Sequence, residues 1–226
     1  MPRRRDMGSV SGMKKLSSHI EALLIGSTAT NIWFPEFRRA DIDLYAMPEF
    51  REKFLRRCAS QIKKVIANTP RKIYAWTKDD QAIDMVFYQN DGSYIPDLIE
   101  ANQCSKVVNL CGIDVHVAKP TTLLLIKDVH SCFRRLWMKH ICDFAFLASK
   151  VKRSYCEKEQ DAYRKSLPYF KRMYRDDAHK LVNFTIDEIS QDGIDLDRLH
   201  ERVLTSTLET RVLIKRYLLE KLGVTI

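Results

Sequence analysis

The sequence predicts an α+β protein: a mixed sheet with flanking helices, followed by an all-helical C-terminal region. Two observations carry this prediction. Short apolar or alternating segments separated by turn residues, which are typical of strands, recur up to about residue 118. Beyond Pro120 the apolar residues recur every three to four positions, as on an amphipathic helix. We therefore divide the chain into a basic, mobile arm (1–15), an α/β domain (16–118) and a helical domain (119–226).

The predicted strands are short and are bounded by turn signals. Ala22–Ile25 is a wholly apolar run that Gly26 ends, which indicates a buried strand entering a tight turn. Asp41–Tyr45 alternates polar and apolar residues, as a half-buried strand does. Lys78–Asp80 marks a turn, and Cys111–Gly112 marks a hairpin. The remaining predicted strands are Lys72–Trp76, Ala82–Tyr88, Lys106–Leu110 and Ile113–Ala118.

Helical spacing of apolar residues predicts the other elements. Pro48–Ala67 has this spacing throughout and is expected to form one helix, and so is Thr121–Val151. Asn31–Arg39, with its aromatic residues and Pro35, is expected to be irregular, and Trp76 is expected in the core. The further helical segments are Pro96–Asn102 (a short helix or turn), 157–180 and 185–222.

The composition is that of an ordinary globular protein. The 226 residues are 45% hydrophobic and 30% charged, and they contain no apolar run of the length that spans a bilayer. The basic N-terminus is not followed by an apolar segment, so it does not have the pattern of a secretory signal. The six cysteines form no CxxC pair, and we expect reduced thiols and a cytoplasmic location.

The net charge of +9 is unevenly distributed along the chain. Residues 51–72 carry eight Lys or Arg against Glu52, a sum of +7, and residues 119–153 carry eight against two acids, a sum of +6. The intervening segments, 16–50 and 73–118, are net acidic. A polyanionic partner would explain the basic stretches and a divalent metal the acidic ones, although solvated helix faces explain the basic stretches as well.

Three carboxylates on two predicted strands are the most informative feature. Asp41 and Asp43 are two residues apart on one strand, so their side chains lie on the same face. Asp84 lies between apolar residues in the middle of another strand, where a carboxylate is costly unless it is paired or bound to metal. If the strands are neighbours, the three acids meet and can hold divalent cations. The alternative is two solvent-facing acids and one buried, hydrogen-bonded acid.

Gly26 and Ser27 precede these acids at the end of the first strand. Glycine allows a phosphate to approach the backbone closely, and serine adds a hydroxyl and an N–H donor. The order Leu-Leu-Ile-Gly-Ser, spacer, Asp-Ile-Asp-Leu resembles the signature of the DNA polymerase β-like nucleotidyltransferase superfamily, in which a later strand carries a third carboxylate, here Asp84. The resemblance implies a nucleotidyltransferase fold, with Asp41, Asp43 and Asp84 as catalytic metal ligands and Gly26 and Ser27 at the nucleotide.

The helical region extends this resemblance. The segment from Lys119 to Lys127, followed by Arg135 and the Lys139-x-x-x-Asp143 pattern, resembles minimal nucleotidyltransferases of the AbiEii/MenT toxin type. It implies that Lys127, Arg135, Lys139 and Asp143 bind the nucleotide. Arg135, Lys139 and Asp143 recur at intervals of four on one helix face, although a surface ion pair between Lys139 and Asp143 explains part of this spacing. Lys127 joins that face only if the helix breaks near Ser131.

The sequence thus predicts a nucleotidyltransferase that uses two Mg²⁺ ions, with Mn²⁺ as a substitute, to move a nucleoside monophosphate from an NTP to an acceptor hydroxyl. The basic stretches favour RNA as the acceptor, and the toxin resemblance implies the 3′ end of a tRNA, a role in phage defence and a protein antitoxin as partner. A protein hydroxyl, as in AMPylation, or a small aminoglycoside-like molecule is an alternative acceptor. A non-catalytic RNA- or protein-binding module and a structural DNA-binding protein are alternative functions. No membrane partner is expected.

Overall fold

The computed structural model describes residues 20–37, 41–89, 94–131 and 137–174, together with residues 216 and 220. Over these residues the chain forms a seven-stranded mixed sheet and six helices, so the predicted α+β class is confirmed. The strands are β1 (Ala22–Ile25), β2 (Ile42–Ala46), β3 (Ile62–Thr69), β4 (Lys72–Thr77), β5 (Ala82–Phe87), β6 (Val107–Leu110) and β7 (Ile113–Val117). The helices are α1 (Gly26–Trp33), α2 (Phe50–Cys58), α3 (Ile95–Ala101), α4 (Pro120–His130), α5 (Trp137–Lys150) and α6 (Glu157–Tyr174).

The strand order places β1, β2 and β5 in the middle of the sheet. The order is β3-β4-β5-β2-β1-β7-β6. β2 runs antiparallel to β1 and parallel to β5, whereas β1 runs parallel to β7. The wholly apolar sequence of β1 fits its position, because all four of its residues are buried between β2 and β7.

The hydrophobic core includes residues of the sheet and residues of the helices that follow residue 118 in the sequence. Leu23, Leu44 and Met85 of the sheet belong to the same buried cluster as Leu124 of α4 and Phe144 of α5. A buried polar contact fixes α6 to the start of α4. The Glu159 carboxylate accepts hydrogen bonds from the hydroxyls of Thr121 and Thr122 at 2.7 and 2.6 Å, and also from the backbone N–H of Cys156.

The predicted helix over Pro48–Ala67 is wrong in its second half. Helix α2 ends at Cys58, and Ile62–Thr69 forms β3, an edge strand paired with β4. Apolar residues that recur every three to four positions in this segment predicted one continuous helix. The β-branched residues of this segment instead complete the β3–β4 hairpin, and Lys63 and Lys64 lie on the exposed edge, where lysine discourages edge-to-edge association.

Two other predictions of where helices begin and end also differ from the structure. The segment Asn31–Arg39 was expected to be irregular. Helix α1 extends from Gly26 to Trp33, whereas residues 34–37 lie outside any helix or strand as expected. The single helix expected over Thr121–Val151 is two helices, because α4 ends at His130 and α5 begins at Trp137. The strands that were predicted are all present, with ends within one residue of the prediction.

Two predicted regions cannot be compared with the structure. The arm at 1–15 and the segment 185–222 lie outside the described residues, apart from Arg216 and Glu220, which are helical. Within the described part of the chain, no helix has both the length and the apolar character needed to cross a bilayer.

Candidate active site

Two of the three predicted acids lie side by side at the centre of the sheet. In the strand register Asp43 of β2 is paired with Ile25 of β1 on one side and with Asp84 of β5 on the other. Paired residues on neighbouring strands point to the same face, and neighbouring strands are about 4.8 Å apart. β2 and β5 are therefore neighbours, which is the condition under which the acids were expected to meet, and Asp43 and Asp84 share one face of the sheet.

Gly26 connects the glycine–serine motif to the acids. It follows Ile25 directly and has a φ angle of +69°, a left-handed conformation that glycine adopts without steric cost. A β-carbon at this position would collide with Oδ2, Cγ and Cβ of Asp43. The Asp43 carboxylate thus occupies the space next to the bare Cα of residue 26, and both features of the position require glycine.

Helix α1 begins at this point and fixes the segment that leads into β2. Ser27 is buried in the first turn of α1, where backbone N–H groups have no partner within the helix and favour an anion. The Thr28 hydroxyl donates a hydrogen bond of 2.7 Å to the backbone oxygen of Asp41. Asp41 itself is exposed at the start of β2, two residues before Asp43. The first turn of α1 and the three acids therefore lie at the same end of β1 and β2.

Lys72 is a site residue that the sequence analysis did not identify. Its Nζ atom lies 2.8 Å from Oδ2 of Asp84. The register explains the contact, because Tyr74 is paired with Asp84 and Lys72 is two residues away on the same face of β4. About two fifths of the Lys72 side chain is exposed, so solvent screens this ion pair. The sequence signal was the alternation in β4, which places Lys72, Tyr74 and Trp76 on one face.

The donor chemistry at Asp43 and Asp84 fits Mg²⁺. This ion prefers oxygen ligands and is commonly held by one or two carboxylates together with substrate phosphates. Oδ1 of Asp84 is buried and has no hydrogen-bond partner among the described residues, a costly arrangement that a cation would relieve. No group of three or more His, Cys, Asp or Glu side chains in the described ranges is arranged to hold a metal ion. The two carboxylates therefore fit part of a Mg²⁺ coordination sphere and do not complete one by themselves.

Lys127 and Asp143 form a buried ion pair between α4 and α5. Lys127 Nζ lies 2.5 Å from Asp143 Oδ2, and the two side chains are only 7% and 12% exposed. Lys127 also lies 3.4 Å from Nδ1 of His140, and an ammonium can only donate to that atom. The end of α4 at His130 supplies the break near Ser131 that this pairing needs. In this arrangement Lys127 is held by Asp143, and its predicted contact with a phosphate stays a prediction.

Burial gives His130 an unusual protonation behaviour beside this ion pair. The pKa of His130 is lowered to about 3, first because burial disfavours the charged imidazole and second because the Lys127 ammonium is close. The His130 and His140 rings are 5.0 Å apart. His130 is therefore neutral at physiological pH, and it adds no second positive charge next to Lys127.

The two other predicted nucleotide-binding residues have no described side chain. Arg135 lies outside the described residues. Lys139 is in α5, one turn before Asp143, and only its backbone is described. The predicted ion-pair alternative was Lys139–Asp143, whereas the structure pairs Asp143 with Lys127.

Two aromatic residues lie beside the acids and not in the core. Trp76 was expected in the core, but it is partly exposed, as is Tyr74. The register places both on the face of the sheet that carries Asp84 and Asp43, while Ile73 and Ala75 of the same strand point to the core.

The similarity of the chain to known proteins is structural. No family model and no curated protein matches the sequence. Among solved structures, the chain is similar to a crystal structure of an antigenic nucleotidyltransferase-like protein from Paracoccidioides brasiliensis, with a TM-score of 0.40 and 13% sequence identity. The match covers 69% of this chain and 81% of that chain.

Proposed function

We propose that this protein is a Mg²⁺-dependent nucleotidyltransferase that moves a nucleoside monophosphate from an NTP to an acceptor hydroxyl. One observation carries the proposal: Asp43 and Asp84 are adjacent on one face of the sheet, and the Asp43 carboxylate packs on Gly26 at the start of α1. Carboxylates for a metal and a helix N-terminus for phosphates thus meet at one place. This is the pair of groups that transfer from a triphosphate requires.

The residues of the chain have distinct roles in the proposed reaction. The first turn of α1, with Gly26 and Ser27, would receive the triphosphate through its N–H groups. Asp43 and Asp84 would hold Mg²⁺, with Asp41 as the further ligand that the sequence resemblance implies. When bound, the ion would neutralise phosphate charge and lower the pKa of the acceptor hydroxyl. Asp84 would orient or deprotonate that hydroxyl. Its oxygen attacks the α-phosphorus, the bond to the β-phosphate breaks, and pyrophosphate leaves.

The acceptor proposed is RNA, and more narrowly a tRNA 3′ end. The charge of the segment 51–72 supports this proposal, because four of its exposed cations, namely Arg56, Arg57, Lys64 and Arg71, have no ion-pair partner among the described residues. Unpaired exposed cations attract a polyanion over long distances. A protein acceptor, as in AMPylation, and a non-catalytic binding module are the competing outcomes of the experiment below.

A labelling assay tests the proposal. Purified protein would be incubated with each common NTP labelled at the α-phosphate, with Mg²⁺, total RNA and cell extract. We expect label on RNA with wild type and none with Asp43→Asn or Asp84→Asn. Asp79→Asn is the matched control, because Asp79 is an exposed acid in the β4–β5 turn and should leave transfer unchanged.

Each other outcome of the assay has a definite meaning. Label on protein would replace the RNA acceptor with AMPylation or a related modification. No label with any NTP, from a folded protein that still binds RNA, would contradict the enzyme and leave the binding module. Equal label from wild type, Asp43→Asn and Asp84→Asn would show that these two acids are not needed for transfer.

A further inference from the structure

We propose that Tyr74 and Trp76 form a stacking platform that holds the bases of a single-stranded nucleic acid next to Asp84. This proposal rests on the proposed nucleotidyltransferase function, because the platform would hold the acceptor strand of that reaction. Its test measures binding without any nucleotide, so the two proposals can fail separately.

The register brings the aromatic residues directly to the acidic site. Tyr74 is paired with Asp84, and Trp76 is paired with Ala82, which is two residues before Asp84 on the same face of β5. One strand spacing of about 4.8 Å therefore separates the Tyr74 position from the Asp84 position. Trp76 lies two residues further along β4, a rise of about 7 Å, which is the scale of consecutive nucleotides on a protein surface.

Both rings are available to a ligand. Each residue is partly exposed, although large aromatic side chains on a sheet are usually covered by the core. The two ring centroids are 6.4 Å apart and the ring planes are inclined by 73°. In the described part of the chain neither the Tyr74 hydroxyl nor the Trp76 indole N–H makes a hydrogen bond. The flat faces and the polar ends of both rings can therefore meet bases and sugars.

Cations flank the platform on the same face. Lys64 of β3 is paired with Trp76 and is exposed. Lys72 lies on the other side of Tyr74, with its Nζ atom 5.5 Å from the centre of the Tyr74 ring. A line of aromatic rings with cations along it is the arrangement with which proteins hold single strands, because bases stack on the rings and phosphates pair with the cations.

The position of the platform also gives the strand a direction. Sheet order places the first turn of α1 on the β1 side of Asp43 and the aromatic rings on the β4 side of Asp84. A triphosphate at α1 and a strand on β4 would approach the two acids from opposite sides. The terminal hydroxyl of that strand would then lie at Asp84, and the bases before it would lie on Tyr74 and Trp76.

The test compares aromatic variants of the full chain in binding to a short oligoadenylate, without NTP or metal. Trp76→Ala and Tyr74→Ala should each weaken binding about tenfold, which is the scale of one base stacked on one ring. Trp76→Phe and Tyr74→Phe keep a π face and should bind within about twofold of wild type. Lys158→Ala is the control for a change elsewhere on the surface, because Lys158 of α6 is paired with Glu100 of α3.

A spectroscopic readout separates stacking from a merely structural role. A base stacked on Trp76 should quench its emission, so oligoadenylate should quench wild type more than Trp76→Phe. Single-stranded RNA and DNA arms tell which sugar is preferred, and either preference supports the platform, because every base has a π face.

Several results would overturn the platform. One is equal binding by wild type and both alanine variants, provided that these variants unfold at the wild-type denaturant concentration. A second is equal affinity for a double-stranded RNA. A third is displacement of the oligonucleotide by heparin with no change in tryptophan emission. Either result would show that charge alone accounts for binding. Intact transfer to RNA in Tyr74→Ala/Trp76→Ala would also contradict the platform and would leave the proposed enzyme.

The opposite result is also distinguishable. If the wild type labels no RNA but oligoadenylate still quenches Trp76, the proposed enzyme is contradicted and the platform stands.

Discussion

The carboxylate of Asp43 fills the space that a β-carbon on residue 26 would need. This contact links the end of β1 to β2, and it places the first turn of α1 against the acid that the proposed reaction requires. It also explains why the glycine is needed at this point, because the backbone at Gly26 is left-handed as well. The fold and the candidate site thus both depend on the contact between Gly26 and Asp43.

Gly26→Ala should therefore damage both stability and activity. The φ angle alone should cost about 1 kcal/mol or more of unfolding free energy, and the collision must in addition move Asp43. Gly112→Ala is the matched control: its φ of +76° is similar, but a β-carbon there would meet nothing within 4 Å. We expect both variants to lose stability in urea unfolding, and only Gly26→Ala to lose nucleotidyl transfer. Full activity in Gly26→Ala would contradict this account.

The Lys127–Asp143 pair should show strong coupling in a double-mutant cycle. Removing one partner leaves the other charge buried, so Lys127→Met or Asp143→Leu should each cost about 3–5 kcal/mol in urea unfolding. The double variant should cost much less than the sum of the two single variants. Lys150→Ala, which breaks the exposed Lys150–Glu36 pair, should cost less than about 1 kcal/mol. Additive single costs would show that the buried pair is not coupled.

The lowered pKa of His130 predicts a stability that falls in acid. The unfolded chain takes up a proton near pH 6.5, whereas the folded chain resists protonation until about pH 3. The unfolded state therefore binds more protons between these values, and stability falls as the pH is lowered through this window, by at most about 1.4 kcal/mol per pH unit. His130→Gln should reduce the slope of urea-unfolding free energy against pH. Lys127 and His140 are among the groups that face His130. An unchanged slope would show that His130 is accessible to protons in the folded state.

Local patterns predicted the centre of the sheet. β1 and β2 have sequence patterns that fit their burial, and Asp43 and Asp84 lie on strands as predicted, whereas Asp41 lies immediately before β2. β3 was missed because residues such as Ile62 and Val65 also match helical spacing over a short span. Its pairing with β4, a tertiary interaction, decides the structure.

The missed contacts of the site all depend on register or on helix packing. Lys72 reaches Asp84 only because β4 and β5 are aligned with Tyr74 opposite Asp84. Lys127 reaches Asp143 only because α4 ends and α5 packs back against it. Neither relation has a fixed spacing in the sequence. The alternation in β4 shows that Lys72 shares a face with Tyr74, but it does not show that Asp84 lies opposite Tyr74.

Asp84→Asn should separate stability from activity. Oδ1 of Asp84 is buried without a partner, and its ion pair with Lys72 is partly exposed, so the charge contributes little to folding. We expect nucleotidyl transfer to be lost while the free energy of unfolding stays within about 1 kcal/mol of wild type or rises. Urea unfolding and the labelling assay would be done on the same preparation. A loss of several kcal/mol would assign Asp84 to the fold rather than to the reaction.

Lys72→Met should lower the Mg²⁺ concentration that gives half-maximal transfer. The ammonium and a metal ion compete for the same carboxylate, and removing the ammonium removes the competitor. A partly exposed ion pair contributes up to about 1 kcal/mol, which corresponds to a shift of up to about fivefold. Lys63→Met is the matched control, because Lys63 of β3 pairs with Asp80 in the β4–β5 turn, at 2.7 Å, and not with an acid of the site. A Mg²⁺ requirement that is unchanged in Lys72→Met, or raised, would show that Lys72 supports Asp84 and does not compete at it.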